Sequence, residues 1–425
     1  MIERVPEYWA FAETVETIGG TTHVRLDLLK GPFLGKLGDL SKEYGDEVFR
    51  DMPIPIIAFE IPEGRRDEYF GRIDGSLVES VWYRLDLDRD GPPASRYSDL
   101  TAPEPEPEPV HIARMSSIDD DSPEGRLLLR IFSLSELPQG GADEVAGFLP
   151  GLSSIADDLR VGVYDVGQGN ANAVCDDSNM PLLYFDLGGG CLRNASTYLK
   201  PKWKDFCWTR QPPVILSHWD YDHYFSGTFL NHWTPLTNNP WKSQWIVPDQ
   251  RIGATAKRML ANIVNGGGSV LVWSKPPWIV QKGPVVVNLP TPKALNKNDS
   301  GIVLRLEIGM PHGAKWPVLL PGDIDYQNIS STLTQDLEAI VATHHGSKHY
   351  SGQPPASNGS GEIAYSFGTG NSFGHPANVA VNEHAAQGWN NRFNTPNGNI
   401  MLAPGPVPHR IPCPNNQCGL EPAQP

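Results

Sequence analysis

The 425-residue sequence predicts an α/β protein in which a large sheet-based domain follows a small N-terminal module that is α+β or rich in β-strands. Its 42 glycines and 40 prolines divide the chain into short segments, which excludes a helical bundle or a coiled coil. From Leu159 onward, short runs of Val, Ile and Leu repeatedly stop just before polar residues. That pattern is typical of strands whose following loops carry the chemistry.

Residues 1–90 are the predicted N-terminal module, because THVRLDLL, IPIIAFEIP and SLVESVWYRLDLD alternate or form short apolar runs between turn residues. Residues 1–150 hold 15 basic and 30 acidic residues, whereas residues 151–425 hold 19 of each. The excess of acidic residues in this N-terminal part predicts either a solvated surface or a docking face for a basic protein partner. The neutral remainder weighs against tight, non-specific binding of long nucleic acid through its phosphates.

Residues 91–125 are rich in Pro and Glu and predict an extended spacer between the two domains. The sheet-based domain is then expected over residues 126–395, with a Pro-rich tail over 396–425. His409, Cys413 and Cys418 in that tail supply three candidate zinc ligands without a fourth, so a partly disordered tail is favoured over a zinc site.

The predicted strands of the large domain include RVGVY, PLLYFDL, PPVILS, SQWIVPD, SVLVWS, IVLRLEIG, PVLLPG and EAIVAT. Helices are expected over residues 252–265 and 326–339 between them. The glycine-rich DVGQGNA lacks the Lys-Ser or Lys-Thr of a phosphate-binding loop, and it is predicted to form a tight hairpin.

A cytoplasmic location is predicted, without membrane contact. The sequence lacks the run of about 18–20 apolar residues that a membrane-spanning helix needs, and its N-terminus has no basic start followed by an apolar core. Five cysteines, an odd number on a long chain, favour reduced thiols over a disulfide framework.

The segment VILSHWDYDHYFSG places four potential metal ligands within six residues after an apolar strand, namely His218, Asp220, Asp222 and His223. A sharp turn would direct the first two to one side and the last two to another, so that the loop supplies two adjacent divalent metals. The alternative is a surface loop whose carboxylates cap a helix near Tyr224.

Asp323 in LLPGDIDY and the pair His344 and His345 in IVATHHGSKH also follow predicted strands. Each motif is weak evidence when taken alone. Three ligand sets that follow strands of one sheet can converge on a single pocket, and this convergence raises their joint weight.

The series DVGQGNA, SHWDYDH, NDSGIVLRL, LPGDID, HHGSKH and GNSFGHP resembles the metallo-β-lactamase fold, and most closely the hydrolase domain of the competence proteins that take up DNA. The resemblance covers roughly residues 159–385. It implies an αββα sandwich with two divalent metal ions at one edge of its two sheets. By motif match, the implied metal ligands are His218 and Asp220 for the first ion, Asp222 and His223 for the second, Asp323 as a bridge, and His344.

Two departures from the usual pattern concern the metals. Asp220 stands where the usual motif has a histidine, which shifts the expected preference from zinc toward manganese or magnesium. No histidine suits the next motif, whose position is taken by the segment 298–300. We therefore expect one metal to be weakly held or bound only together with substrate.

The function that this resemblance implies is metal-dependent hydrolysis of phosphodiester bonds, in a nucleic acid or a nucleotide, by a metal-activated hydroxide. Asp222 is expected to orient the attacking water, and His345 or His375 to protonate the leaving group. The expected substrate contacts are Asn298, Ser300, Ser347 and Lys348, and the residues expected to orient the ligands from behind are Asp165, Gln168 and Asp186.

Two other functions stay open from the sequence. The same fold hydrolyses lactams, thioesters and phosphocholine-type esters. A third possibility is a non-catalytic protein that binds a partner through its acidic module.

Trp219 and Tyr221 alternate with the proposed ligands and are predicted to line the pocket, where they would stack on a base or enclose a choline-type cation.

Overall fold

The structure is a computed structural model that describes residues 7–44, 47–50, 52–74, 77–98, 107–190, 206–228, 237–292, 294, 296–348 and 350–405. The strands are β1 (Tyr8–Ile18), β2 (Thr21–Lys30), β3 (Ile56–Pro62), β4 (Ile73–Asp74), β5 (Trp82–Tyr97), β6 (Glu108–Ser117), β7 (Gln139–Gly140), β8 (Arg160–Val163), β9 (Ala171–Cys175), β10 (Pro181–Leu187), β11 (Val214–Ile215), β12 (Gln244–Pro248), β13 (Ser269–Trp273), β14 (Ile279–Lys282), β15 (Val285–Asn288), β16 (Val303–Gly309), β17 (Lys315–Leu320), β18 (Leu337–Val341), β19 (Ser357–Tyr365), β20 (Asn391–Asn394) and β21 (Ile400–Leu402).

The α-helices are α1 (Phe33–Tyr44), α2 (Glu47–Arg50), α3 (Arg66–Phe70), α4 (Pro123–Ile131), α5 (Ala142–Phe148), α6 (Tyr221–Tyr224), α7 (Ala254–Asn265) and α8 (Asn378–Ala386). Short 3₁₀ turns lie at Glu63–Arg65, Ser153–Asp158, Phe225–Thr228, Pro240–Lys242, Pro311–Gly313, Tyr326–Asn328, Thr343–Gly346 and Thr395–Asn397. The described residues thus form a mixed α/β protein with several sheets and few helices.

The first of two compact units reaches Glu136 and also takes in Arg251–Asn265. Its sheet has the order β1-β2-β3-β5-β6-β4, and β1 pairs in addition with β5. Alternating residues of these strands, among them Leu26, Ile57 and Leu85, are fully buried in one hydrophobic cluster. The first unit therefore combines a sheet with helices, and it extends beyond residue 90, where the predicted N-terminal module ends.

The prediction of a spacer over residues 91–125 is wrong for the residues that the structure describes. β5 continues to Tyr97 and pairs antiparallel with β6, and α4 follows, capped by the Ser122 hydroxyl, which accepts a hydrogen bond from the amide of Gly125 at 3.0 Å. Pro93 is tolerated in β5 because the register shifts between Asp88 and Pro93. At such an irregularity the regular pattern of hydrogen bonds is interrupted, so the N–H that proline lacks is not needed. Residues 99–106 lie outside the described residues.

The predicted helix over residues 252–265 is present as α7, but it belongs to the first unit. The carboxylate of Asp27 in β2 accepts hydrogen bonds from the amide and the hydroxyl of Thr255 at 2.7 and 3.0 Å, and so caps the first turn of α7. The helix predicted over residues 326–339 is wrong, since the segment forms only a 3₁₀ turn and then enters β18.

The second unit comprises Leu137–Gln250 and the chain from Gly266 onward. It holds an eight-stranded sheet, β21-β8-β9-β10-β11-β12-β13-β7, and a seven-stranded sheet, β14-β15-β16-β17-β18-β19-β20. One hydrophobic cluster draws residues from both sheets, for example Phe185 and Ile215 from the first and Leu304 and Val318 from the second. Each Val-, Ile- and Leu-rich run named above forms a strand of these sheets; the two helical outer layers stay a prediction.

The predicted tail is structured at its start. Ile400, Met401 and Leu402 pair antiparallel with Val163, Gly162 and Val161 at the edge of the eight-stranded sheet. The start of the predicted Pro-rich tail is therefore an ordered strand, while the residues for which partial disorder was predicted, including His409, Cys413 and Cys418, lie outside the described residues. Within the described ranges, no helix combines the length and the apolar character that crossing a membrane requires.

Parallel strand pairs determine where the candidate ligands meet. β10, β11, β12 and β13 run parallel in one sheet, and β17, β18 and β19 run parallel in the other. The carboxyl ends of parallel strands lie at the same edge of a sheet. Asp186 near the end of β10 and the loop after β11 thereby share an edge of the eight-stranded sheet, and the turns after β17 and β18 share an edge of the seven-stranded sheet. The three ligand sets thus follow strands of two sheets, not of one sheet as the sequence predicted.

Candidate metal centre

The loop after β11 delivers the densest group of candidate ligands. His218 lies three residues beyond the strand, and Asp222 and His223 lie in the single turn of α6. The amide of Asn170, in the hairpin between β8 and β9, donates to the carbonyl of Asp222 at 3.0 Å. This bond ties the ligand loop to the neighbouring hairpin of the same sheet.

Glycine is required where that hairpin and the end of β10 pass the loop. A Cβ atom on Gly188 would lie 1.8 Å from the carbonyl oxygen of Asp222, and one on Gly169 would lie 2.7 Å from the same atom. No side chain fits in either place without moving the backbone of Asp222. The glycine-rich segments therefore set how closely the ligand loop approaches the sheet.

His223 is oriented from behind by Asp186. Both side chains are completely buried, and Asp186 Oδ2 lies 2.8 Å from His223 Nδ1. The same carboxylate accepts from the amide and the hydroxyl of Ser217 at 2.6 and 2.9 Å. Because a carboxylate only accepts, His223 carries its proton on Nδ1 and turns Nε2 toward the cluster.

Two further imidazoles are held in the same way. His218 Nδ1 lies 3.0 Å from the hydroxyl of Ser217, and His345 Nδ1 lies 2.8 Å from the carbonyl oxygen of Ser366. In each ring the rear nitrogen is bonded within the protein and Nε2 faces the cluster. This is the usual arrangement of histidine ligands to metals.

The inward-facing atoms form two overlapping groups, one made of His218, His223 and Asp323 and the other of Asp222, His223 and His345. Within each group the potential ligand atoms lie within 4.8 Å of one another. The closest contacts are His223 Nε2 to Asp323 Oδ1 and His345 Nε2 to Asp222 Oδ2, both at 3.1 Å.

The donor set fits a divalent metal ion. Nε2 of His218, Nε2 of His223 and Oδ1 of Asp323 are buried, and in the described chain none of the three is aligned for a hydrogen bond. The 3.1 Å contact between His223 and Asp323 is within ion-pair range but lacks hydrogen-bond geometry. Buried polar atoms without partners are costly, and coordination of divalent ions by imidazole nitrogen and carboxylate oxygen would satisfy them.

The charges of the cluster are strongly coupled. Burial alone would raise the pKa of Asp222, but the hydrogen bond from His345 and the charge of His223 lower that pKa to about 2. Burial likewise opposes ionisation of Asp323, yet His223, His344 and His345 hold its pKa well below the usual range. Burial would lower the pKa of His223, but Asp323 and Asp186 raise it well above its ordinary value. Protons and a metal ion therefore compete for the same ligand atoms.

Asp220, a predicted ligand of the first metal, lies outside both groups. Its Oδ1 is 2.5 Å from the ammonium of Lys297, and its Oδ2 is 3.4 Å from Nε2 of His218. Burial favours the neutral acid, but the charges of Lys297 and His218 outweigh it and lower the pKa of Asp220. Asp220 is therefore an ionised carboxylate with a protein cation as its partner.

The roles expected for His344 and His345 differ from their positions. His345, expected as a proton donor, belongs to one of the two groups and is 1% exposed. His344, expected as a ligand, lies in neither group; its ring is 16% exposed and its Nε2 is 3.8 Å from Asp323 Oδ2.

His375 and Gln168 lie beside the cluster. Gln168 Nε2 is 3.1 Å from His375 Nδ1, and the imidazole of His375 stacks on that of His345 with centroids 5.8 Å apart. The amide of Asp165 donates to Asn399 Oδ1 at 2.8 Å, and its side chain is buried. DVGQGNA connects β8 and β9 as the predicted hairpin, with a loop of several residues.

The residues expected to contact substrate are less uniform. Lys348 is exposed and Asn298 is partly buried, whereas Ser300 and Ser347 are buried. The hydroxyl of Ser300 accepts from Gln250 Nε2 at 2.7 Å and is engaged inside the protein.

The predicted aromatic wall is wrong. Trp219 is 0% exposed and donates from Nε1 to the carbonyl of Pro248 at 3.3 Å, and Tyr221 is 1% exposed. Both rings pack in the interior, so neither offers a face to a base. Sequence reasoning had placed them at the pocket because they alternate with ligands, but α6 begins at Tyr221 and changes that alternation.

Four residues of the site were not predicted, namely Ser217, Gln250, Lys297 and Ser366. Ser217 stands directly before His218, so its position in the motif was a usable signal. Lys297 directly precedes the segment 298–300, so its position was a usable signal as well, whereas nothing in the local sequence of Gln250 and Ser366 marks them as buried partners of the cluster.

Comparisons with known proteins identify no family for the chain. No protein-family model matches it, and no curated protein does. Among solved structures, a long form of RNase Z from yeast is similar over 59% of this chain and 41% of that chain, with 8% sequence identity and a TM-score of 0.25. The chain thus spans less than half of that protein's length, and the fold assignment depends on the strands and contacts described above.

Proposed function

We propose that this protein is a metal-dependent hydrolase that cleaves phosphodiester bonds in a nucleic acid or a nucleotide. The observation that carries the proposal is the buried cluster of imidazoles and carboxylates, in which three rings are fixed through Nδ1 and present Nε2 to one place. The order of the motifs along the chain, which resembles the metallo-β-lactamase hydrolases, supports the same reading.

The proposal assigns a role to each side chain. His223, Asp222, Asp323 and His345 hold one divalent ion, and His218 with Asp323 faces a second position. Asp186 fixes the tautomer of His223. A divalent ion held there supplies Lewis acidity, which lowers the pKa of water and offsets the charge of a phosphate.

Two assignments made from the sequence are thereby exchanged. His345 becomes the ligand, because its Nε2 lies 3.1 Å from Asp222 and its ring is buried. His344 is partly exposed beside Asp323 and becomes, together with His375, the candidate proton donor to the leaving group. The carboxylate ligands of the site suit manganese or magnesium, and its histidine ligands suit zinc.

The test is a parallel hydrolysis assay on metal-stripped protein reloaded with Mn²⁺, Mg²⁺ or Zn²⁺. Bis-p-nitrophenyl phosphate, single-stranded DNA and cyclic nucleotides probe phosphodiesters, while nitrocefin and a thioester probe the other chemistries of the fold. Turnover of a phosphodiester that is lost in His223→Ala and Asp323→Asn, but kept in His111→Ala, supports the proposal. His111 lies in β6 of the first unit and serves as the matched histidine control. Turnover of nitrocefin or the thioester alone refutes the phosphodiester assignment.

A further inference from the structure

Lys297 is a buried lysine in contact with the candidate metal centre. Its side chain is 3% exposed, and its ammonium lies 2.5 Å from Asp220 Oδ1 and donates to the carbonyl of Trp219 at 3.0 Å. Gln250 links the backbone at Lys297 to the backbone at Trp219. Its Nε2 donates to the carbonyl of Lys297 at 2.7 Å, and its Oε1 accepts from the amide of Trp219 at 2.9 Å. The ammonium is therefore fixed beside the ligand loop.

The two ligand groups cannot both be completed, because they share His223. Its Nδ1 is bonded to Asp186, so only Nε2 is available, and one nitrogen lone pair binds one ion. An ion held by Asp222, His223 and His345 leaves only His218 and the shared Asp323 for a second ion. Asp220 is a further carboxylate beside that second position, since its Oδ2 lies 3.4 Å from Nε2 of His218.

The charge that Asp220 would offer to a second ion is already balanced by Lys297. An ammonium in contact with that carboxylate repels a divalent cation approaching it, and the repulsion is strong in a buried, poorly solvated place. The lysine has no room to turn into solvent, because its side chain is buried and bonded at two oxygens.

We propose that Lys297 acts as a built-in counter-ion of Asp220 and makes the centre selective for a single tightly bound divalent ion, with a second ion on the His218 side binding at least tenfold more weakly. This inference rests on the proposed function to the extent that a divalent ion occupies the cluster. It assigns to Lys297 a specificity role in metal loading that the motif pattern does not contain.

The test is titration of metal-free full-length protein with Mn²⁺ alone, followed by calorimetry for stoichiometry and affinity and by electron paramagnetic resonance for coupling between ions. Wild-type protein is expected to bind one ion tightly and to show the six-line signal of isolated Mn²⁺. Lys297→Met is expected to raise the affinity for the second ion at least tenfold and to give a spin-coupled signal at two equivalents. The double variant Lys297→Met with Asp220→Asn is expected to return to one ion.

Two further variants serve as controls. Lys257→Met removes a buried lysine of the first unit and is expected to leave Mn²⁺ binding unchanged. Since Lys297→Met leaves Asp220 buried without its partner and is at risk of misfolding, Asp220→Asn alone provides an independent measurement. It is expected to change the affinity for the first ion less than threefold, because that ion does not use Asp220.

Three results would overturn the inference: two ions of equal affinity in the wild type, an unchanged second affinity in Lys297→Met, or a more than tenfold loss of first-ion affinity in Asp220→Asn. Equal binding of two ions together with phosphodiester hydrolysis would leave the proposed function standing and remove only the role of Lys297. Absence of any Mn²⁺ binding in all the proteins would remove the inference, and the hydrolysis assay with Mg²⁺ and Zn²⁺ would then decide the proposed function separately.

Discussion

Replacing Asp186 with Asn tests whether His223 is oriented for a metal. The carboxylate receives three donors, namely the amide and hydroxyl of Ser217 and Nδ1 of His223. An Asn side chain has one acceptor oxygen, so its amide group must face at least one of these donors. If it faces His223, the imidazole is driven to the tautomer with the proton on Nε2, and the ligand lone pair is lost.

The expected magnitude follows from these bonds. Loss of a partner that orients a ligand costs roughly 10- to 100-fold in metal affinity. An unmet buried hydrogen bond costs about 1–3 kcal/mol in the free energy of unfolding. The backbone is not an additional variable, because Asp186 has a positive φ of 65° and Asn adopts this conformation readily, unlike Ala.

The assay is competition between the protein and a chelator for Mn²⁺ and Zn²⁺, combined with thermal denaturation of the metal-free form. Asp176→Asn is the matched control. Asp176 is also buried and accepts from Ser178, Met180 and Arg210, but it follows the opposite end of β9 from the site. We expect both variants to be less stable and only Asp186→Asn to bind metal more weakly. Equal metal affinities in the two variants would refute the orientation argument.

Three other predictions follow from single contacts. Gly188→Ala should lower the free energy of unfolding by about 1–3 kcal/mol and weaken metal binding, because its Cβ would lie 1.8 Å from the carbonyl oxygen of Asp222. The control Gly147→Ala, in α5, places its Cβ where no atom lies within 4 Å, so it should be neutral or stabilising. Denaturant unfolding measures both stabilities. Burial lowers the pKa of His384 from 6.5 to about 4, so the contribution of this residue to the stability of the metal-free protein should be complete above pH 6.5 and should fall by about 3 kcal/mol as the pH falls to about 4. In denaturant titrations at each pH, His384→Gln should lose this part of the pH dependence. Deletion of the residues before Ser117 should give protein that aggregates in size-exclusion chromatography, because the deletion removes Asp27, which caps α7. A soluble, monomeric protein after this deletion would show that α7 does not need the rest of the first unit.

The sequence predicted most of the second unit because its strands carry their own signal. A run of Val, Ile and Leu that is buried on both faces forms a strand almost regardless of context, and β10, β12, β13 and β18 are of this kind. The order of the motifs predicted that their following loops converge, but the single sheet assumed for this is wrong, because the His218–His223 loop follows β11 of the eight-stranded sheet and Asp323 follows β17 of the seven-stranded sheet. Asp323 and the His218–His223 loop were therefore placed at one site from local pattern and order alone.

The errors come from features without a local signal. The Pro-rich composition of residues 91–125 suggested a spacer, yet Tyr97 and its neighbours pair with β3, and a register shift accommodates Pro93. β21 depends on its pairing with Val163, which lies more than 200 residues earlier in the chain. The burial of Lys297 likewise depends on Gln250, a residue that only the folded chain brings near.

The backbone at His344 and His345 explains why the sequence could not divide their roles. Both residues have left-handed backbone, with φ of 46° and 55°, and Gly346 follows with 80°. Three consecutive residues with left-handed backbone reverse the direction of the chain. The rings of His344 and His345 therefore point in directions that neither helix nor strand periodicity predicts. For a non-glycine residue each such conformation costs about 1–3 kcal/mol. His345 offsets its strain with bonds to Ser366 and Asp222, whereas His344 keeps a partly exposed ring beside Asp323. Under the proposed function, the buried ring of His345 is therefore suited to hold the ion, and the partly exposed ring of His344 is suited to meet an entering substrate.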